Sequence, residues 1–348
     1  MRAVAAVREP GAGLDSTAVD PGLASTFDDD PGDWLDPTSE GSSGWGHREP
    51  PSSIADGEVA SETGGAVQLG RYRVLGLIGE GRSARVYRGH DPILERAVAL
   101  KVPRPGVLPV AKAQERFLGE ARALARLRHP AIVPVFELGR DDDRCFIAMG
   151  LVEGPSLVES SERGPDAIGG RRAAEIVADL ADALDYAHGQ GILHRDVKPA
   201  NILTDESGSV YLTDFGLAGR PDTGEGMRGP DRIVGTPAYA APEQVASYGA
   251  RSLPAGDQYS LGVVFYQLLC GRLPFIGASL HVLCQAIIQE PPSPRSIAPA
   301  VPARLSAICM KAMAKRPEDR YPRCADLAKD LRSWCRSGRG SSAIKAGS

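Results

Sequence analysis

No run of about 18 consecutive apolar residues occurs in the 348-residue chain, so no membrane-spanning helix is expected. The opening stretch, MRAVAAVREPGAG, has no apolar core, and no secretory leader is expected either. None of the six cysteines (Cys145, Cys270, Cys284, Cys309, Cys324 and Cys335) forms a C-x-x-C pair. That spacing disfavours a zinc or disulfide framework and suits reduced thiols in the cytoplasm. A basic excess is missing as well. The formal net charge is -4, so nothing argues for a nucleic-acid partner. No internal repeat of 20–50 residues is found.

What is present is ordinary globular content, 42% hydrophobic and 24% charged, enough for one large or two medium cores. The charge is uneven. Residues 1–69 hold 13 Asp/Glu against 3 Lys/Arg, a net -10, which leaves +6 on the remainder. A mildly basic body suits a polyanionic ligand. The first 69 residues are rich in Gly, Pro, Ser and acids, as in FDDDPGDWLDPTSEGSSGWG, with no helical or strand period. They are expected to be a disordered acidic tail, because they cannot bury enough apolar surface to offset ordering entropy. Trp34 and Trp45 read as isolated aromatics in that tail.

From Arg71 the texture changes. RYRVLGLIGEG and SARVYRGHD read as two strands around a glycine turn, and RAVALKVP as a third. Alternation puts Ala99 and Lys101 on one face of that strand and Val98 and Leu100 on the other. AQERFLGEARALARL has helical spacing at Phe117, Ala121, Leu124 and Leu127, and ends before His129-Pro130. AIVPVFELG and RCFIAMGLVEG are strand-like again. After Gly154 the pattern turns helical. RRAAEIVADLADALDYAHGQG stripes Ile176, Leu180 and Leu184 and can stop at Gly189 or Gly191. DQYSLGVVFYQLLCG is apolar all round and predicts a deeply buried helix. SLHVLCQAIIQ and CADLAKDLRSW are further helices, and EPPSPRSIAPAVP is expected to be a surface connection.

Several segments carry chemistry. GEGRSARV, residues 79–86, places glycines where a backbone could approach an anion, although a plain hairpin turn explains them equally well. A strand follows this loop rather than a helix, which argues against Rossmann and Walker-type sites. Lys101 in VALK faces inward, where an ammonium needs a carboxylate. Glu120, on the apolar stripe of the following helix, is the expected partner and Glu115 a weaker one. In VYLTDFG an apolar strand ends in Asp214, a turn former or a metal ligand. In ILHRDVKPANIL the pairs Ile192-Leu193 and Ile202-Leu203 frame His194, Arg195, Asp196 and Lys198, and are expected to fix them to the core. Asn201 and Asp214 supply oxygen donors of the kind Mg²⁺ shares with phosphates. Together these pieces make a metal-nucleotide site.

With GEGRSARV, VALK, HRDVKPAN, DFG and APE in this order, the chain resembles the eukaryotic-type protein kinases, most of all the bacterial Ser/Thr kinases. The resemblance covers about residues 70–336. HRDVKPAN, with Lys198 two residues after Asp196, is the Ser/Thr form of the catalytic loop, and GTPAYAAPE is similar to the Ser/Thr peptide-docking segment. The fold implied is α+β and two-lobed. A small antiparallel sheet with one main helix (about 70–150) sits above a larger, mostly helical lobe (about 151–338). Residues 339–348 form a short flexible end, and no sensor domain is expected after it.

The resemblance also implies roles. Gly79, Glu80, Gly81 and the loop amides cover the triphosphate of ATP. Lys101, held by Glu120, binds the α- and β-phosphates. Asn201 and Asp214 hold Mg²⁺, and Lys198 meets the γ-phosphate. Asp196 orients the attacking hydroxyl of a protein Ser/Thr, with proton transfer late, since a carboxylate is a feeble base toward an alcohol. Val86 and Ala99 wall the adenine above and Leu203 below. Met149 stands at the gatekeeper position, with Gly150 and Val152 offering backbone groups. Thr236 supports Asp196 and Lys198, Asp257 braces the catalytic loop, and Glu243 pairs with Arg320.

Two positions depart from the family. Ala84 replaces the third loop glycine, which implies a stiffer loop. Between Leu217 and Gly235 the only hydroxyl side chain is Thr223, and Asp231 reads equally as a partner of Arg195 in place of a phosphothreonine or as a solvated loop carboxylate. The tail's 12 Ser/Thr suggest autophosphorylation there. Rival readings are a kinase-fold scaffold without activity and a small-molecule kinase. The filled catalytic positions argue against the first, and GTPAYAAPE against the second.

Overall fold

Period-two alternation organises the first half of the structure. The computed structural model describes residues 67–81, 84–104, 119, 121–142, 144–158, 168–215, 237–246, 253–277, 285–286 and 288–337, all within the unit 42–348. Strands β1 (Gln68–Leu69), β2 (Tyr72–Glu80), β3 (Ala84–Asp91), β4 (Arg96–Pro103), β5 (Val135–Asp141) and β6 (Arg144–Gly150) pair antiparallel in the order β1-β2-β3-β4-β6-β5. The central strand β4 shows the alternation expected of it. Ala99 joins the main apolar cluster with Val86 and Met149, while Val98, Leu100 and Val102 join a second cluster with Tyr87 and Phe146. Both faces are covered, so β4 reads as a nearly unbroken buried run.

The second half is helical: α1 (Gly170–Gly189), α2 (Pro242–Ala246), α3 (Pro254–Cys270), α4 (Pro294–Ile297), α5 (Ala303–Ala312) and α6 (Cys324–Ser337). The predicted stripe of α1, Ile176, Leu180 and Leu184, is buried against α3 and α6. Gly191, at φ +74°, turns the chain out of α1. Helix α3 is buried on nearly every side and ends at Gly271, whose φ of +68° is a left-handed cap. Strands β7 (Ile202–Thr204) and β8 (Val210–Leu212) form a separate antiparallel pair. Leu212 exchanges backbone bonds with the 131–133 segment, its N–H donating to Ala131 O and its carbonyl accepting from Val133 N, both at 2.9 Å. That ladder ties the strand before Asp214 to the chain entering the sheet.

The strap between the halves, residues 151–156, lies directly on β7. Thr204 N donates to Pro155 O at 3.0 Å. Gly154 has φ +152°, and a Cβ there would stand 2.0 Å from Thr204 O, so only glycine allows this approach.

Several expectations are corrected. Gln68 and Leu69, assigned to the tail, form β1, and Leu69 is fully buried. The Pro-rich connection contains α4, capped by the Ser293 hydroxyl, which accepts from Ser296 N. Helix α5 was not anticipated. Of the helix expected before His129, only residue 119 and residues 121–124 are described as helical. The helix expected over SLHVLCQAIIQ lies mostly outside the described residues. So do Glu115, Glu120, Thr223, Asp231, Thr236, both tail tryptophans and the tail's Ser/Thr positions.

Candidate active site

Asp196, Lys198 and Asn201 follow one another along a short extended stretch and a single 3-10 turn, Pro199–Asn201. Pro199 starts that turn and Asn201 N closes it on Lys198 O at 3.0 Å. The side chains converge. Lys198 Nζ lies 3.0 Å from Asp196 Oδ2. Asn201 Nδ2 donates to Asp196 O at 2.8 Å and to Asp196 Oδ2 at 3.1 Å. With its nitrogen so committed, the Asn201 amide turns its oxygen away from Asp196.

Asp214 joins this cluster from β8. Thr213 N donates to Asn201 O at 3.0 Å, so the two segments run side by side. Strand alternation does not reach Asp214, contrary to expectation. Its φ is +60°, a left-handed conformation that aspartate tolerates better than most residues. Lys101, only 8% exposed, meets Asp214 Oδ1 at 2.6 Å. Burial alone would push the Asp214 carboxyl up, but the charge and hydrogen bond of Lys101, with the charge of Lys198, hold it below the usual carboxylate range. The ion pair expected between Lys101 and Glu120 involves a residue outside the described set; among the described residues Lys101 contacts Asp214.

Of the four ionisable groups framed in ILHRDVKPANIL, only Asp196 and Lys198 enter this cluster. His194 is fully buried, and burial pulls its imidazole below the usual histidine range. Its Nε2 lies 3.0 Å from Thr213 O and its Nδ1 accepts from Asp196 N at 3.3 Å, which assigns the neutral tautomer with the proton on Nε2. His194 is therefore a strut between the two site segments. Arg195, at φ +67°, lines a separate recess of about 150 Å³ with Gly191, Ile192, Leu193 and Phe215, where its Nε has no partner among the described residues. Ile192 and Leu193 are only half-buried, so His194, Val197, Ile202 and Leu203 do most of the anchoring.

Support comes from below through Asp257 on α3. Its Oδ1 accepts from Arg195 N at 2.7 Å, and its Oδ2 from His194 N at 2.8 Å. His188 Nε2, at the end of α1, stands 2.8 Å from the same Oδ2. The bracing expected of Asp257 is thus present. His188 was missed; its only sequence signal is a polar ring in the last turn of an apolar helix, close before His194.

The positions expected to face a nucleotide also come together. Val86 on β3, Ala99 on β4, Met149 on β6 and Leu203 on β7 belong to one apolar cluster, with Val152 half-buried against it. Ala99 and Met149 are direct partners across β4 and β6, as are Val98 and Gly150. Gly150 N donates to Pro134 O at 2.9 Å, which leaves its carbonyl rather than its N–H for a ligand. A Cβ on Gly150 would stand 3.1 Å from the Pro134 ring, a tight approach that the ring would have to yield to. Gly79 and Glu80 end β2 and Gly81 N closes onto Ala84 O at 2.9 Å, so Ala84 belongs to β3 rather than to the loop tip.

Away from the cleft, Arg320 and Glu243 form the expected pair, bidentate at 2.7 Å for each bond. Arg320 also donates to the carbonyls of Ala314, Ala255 and Lys315.

Comparison with known proteins agrees with this geometry. The family model described as "Protein kinase domain" matches residues 72–343. The chain is 41% identical over 273 residues to the DNA damage-responsive serine/threonine-protein kinase RqkA of Deinococcus radiodurans, covering 76% of this chain and 40% of that protein. It is 37% identical over 274 residues to the serine/threonine-protein kinase PknE of Mycobacterium tuberculosis, covering 78% and 47%. The kinase domain of Mycobacterium tuberculosis PknI superposes with a TM-score of 0.62 at 30% identity, over 77% of this chain and 97% of that one. The chain spans about half the length, or less, of these two curated relatives.

Proposed function

Because this chain belongs to the protein kinase family, we propose that it transfers the γ-phosphoryl group of Mg-ATP to serine and threonine hydroxyls of proteins. The observation that carries this reading is the convergence of Lys101, Asp196, Lys198, Asn201 and Asp214 at the end of the apolar cluster formed by Val86, Ala99, Met149 and Leu203. Phosphoryl transfer asks the protein for position and charge, and these residues supply both.

The donor set fits a magnesium ion. Asp214 is ionised, and Asn201 presents an amide oxygen held by its own nitrogen's bonds. Two protein oxygens are few, which matches an ion that takes its remaining ligands from phosphates and water. Bound there, the cation offsets negative charge on the transferred and leaving groups. Lys101 is the amine for the inner phosphates, beneath Gly79, Glu80 and Gly81, and Lys198 the amine for the γ-phosphate. Asp196 accepts the acceptor's hydroxyl hydrogen bond through a carboxylate steadied by Asn201 and Lys198. The adenine lies among the apolar residues, with the Gly150 carbonyl and Val152 N–H at its edge. Glu120 completes the set as the further partner of Lys101.

The reading extends to the whole chain as one kinase domain, about residues 70–338, after an acidic tail that the domain phosphorylates. The five described cysteines are all free, which supports a cytoplasmic setting. Among the described residues no helix is long and apolar enough to cross a membrane. The test is transfer of labelled phosphate from Mg-ATP to a generic protein acceptor, with Asp196→Asn as control and phosphosite mapping by mass. Transfer by the wild type, with phosphate mapped before residue 70, is expected. A folded wild type that neither binds nor consumes Mg-ATP would overturn the reading.

A further inference from the structure

We infer that Glu80 is a positioning residue that sets the glycine-rich loop over the nucleotide's phosphates by holding two arginines on one carboxylate oxygen. Arg85 faces Glu80 across the β2–β3 pair, and its Nε lies 2.9 Å from Glu80 Oε1. Arg104, one residue beyond β4, brings its Nη2 to 2.8 Å from the same Oε1. The ends of three strands therefore meet on a single atom, at the place where Gly81 N and Ala84 O close the hairpin. Lys101 lies three residues before Arg104, so the staple and the phosphate-binding amine share a strand. The Arg85 hydrogen bond and the Arg104 charge hold the Glu80 carboxyl below its usual range, so it is an anion at neutral pH.

Each of these contacts alone is a surface pair and contributes little, since the side chains are 42%, 29% and 37% exposed for Glu80, Arg85 and Arg104. The arrangement matters more than the pairs. Removing the anion leaves two like-charged guanidinium groups facing each other at the hairpin end, and the strand ends spread. Among the described residues the carboxylate that meets the Arg104 head is Glu80, through Nη2. A loop held in place before binding loses less freedom when the phosphates arrive.

The alternative is that Glu80 acts only through its charge. That role predicts the opposite sign, because removing a carboxylate near phosphates strengthens their attraction. The inference rests on the kinase reading above, and binding measurements separate the two. Calorimetry on the full chain compares Mg-ADP, which reaches the loop, with adenosine, which does not. For Glu80→Gln the Kd for Mg-ADP is expected to weaken about fivefold, with adenosine unchanged within about twofold. In phosphate transfer the rise in KM for ATP exceeds the fall in kcat. Mg-ADP binding that is equal or tighter, or an equal loss for adenosine, overturns the inference while leaving the kinase reading intact. A wild type that binds no Mg-ADP overturns both.

Discussion

The Lys101–Asp214 pair and the Arg320–Glu243 pair join distant segments at nearly the same distance, 2.6 and 2.7 Å. Their surroundings differ. Arg320 directs all five N–H donors at acceptors: two carboxylate oxygens and three backbone carbonyls. Its side chain is fully enclosed. Lys101 has three N–H donors and, among the described residues, one carboxylate acceptor, and the Asp214 side chain is 34% exposed. The Arg320 guanidinium has no donor left for a ligand. The Lys101–Asp214 pair is incomplete, so an arriving phosphate or cation can take up what remains without breaking a finished structure.

That contrast predicts which losses fall on chemistry and which on the fold. The largest effect is expected at the incomplete site. Asp196→Asn and Lys101→Met each lower phosphate transfer by about 10²–10⁴-fold; the melting temperature moves by no more than about 2 °C for Asp196→Asn, and by more for Lys101→Met, which takes the amine from the Asp214 carboxylate. Equal loss of stability in these variants would erase the distinction. Next comes Arg320→Leu, which leaves Glu243 and three carbonyls without their donor. It is expected to cost about 3–5 kcal/mol in urea unfolding.

His188→Phe sharpens the comparison, because it loosens the support of the site without touching the site. One partner of a buried carboxylate is lost, a cost of about 1–3 kcal/mol, and kcat is expected to fall with little change in KM for ATP. A change in KM alone would mean that His188 shapes the nucleotide pocket instead. His194 gives a smaller effect through pH. Burial lowers its folded pKa, so the unfolded chain takes up the proton first as pH falls. Its contribution is fully present above about pH 6.5 and is lost progressively below it. Melting temperatures measured from pH 7.5 to 5.5 should decline toward the acid end, and a flat series would contradict the assignment of a neutral strut. The smallest effect is expected on the surface, where Arg332 bridges Asp179 and Asp182 from α6 to α1. Arg332→Ala is expected to change stability by no more than about 1 kcal/mol.

Much of this was legible in the sequence because it rests on local period or on motif spacing. The β2–β4 strands, the stripe of α1 and the fully apolar α3 all follow from side-chain alternation or helical repeat. Asp196, Asn201 and Asp214 are found by spacing within recognisable segments. What was not legible depends on partners far away in the chain. Nothing local marks Gln68-Leu69 as a strand, since its pairing with β2 makes it one. Nothing in HRD distinguishes His194, which struts the site, from Asp196, which enters the side-chain cluster. Burial decides that, and burial is a property of the assembled core. The left-handed turns at Arg195 and Asp214 were invisible for the same reason. Arg195 N is held by Asp257, and the residue before Asp214, Thr213, by Asn201 and His194, contacts that alternation cannot foresee.

Gly154 has a consequence for motion. Because the strap crosses Thr204 with no room for a methyl group, it is pinned to the upper edge of the helical half. A pinned strap lets the sheet tip about that point but keeps it from gliding along the helices. On the function proposed above, entry of a nucleotide would then turn the two leaves about one residue that has no side chain.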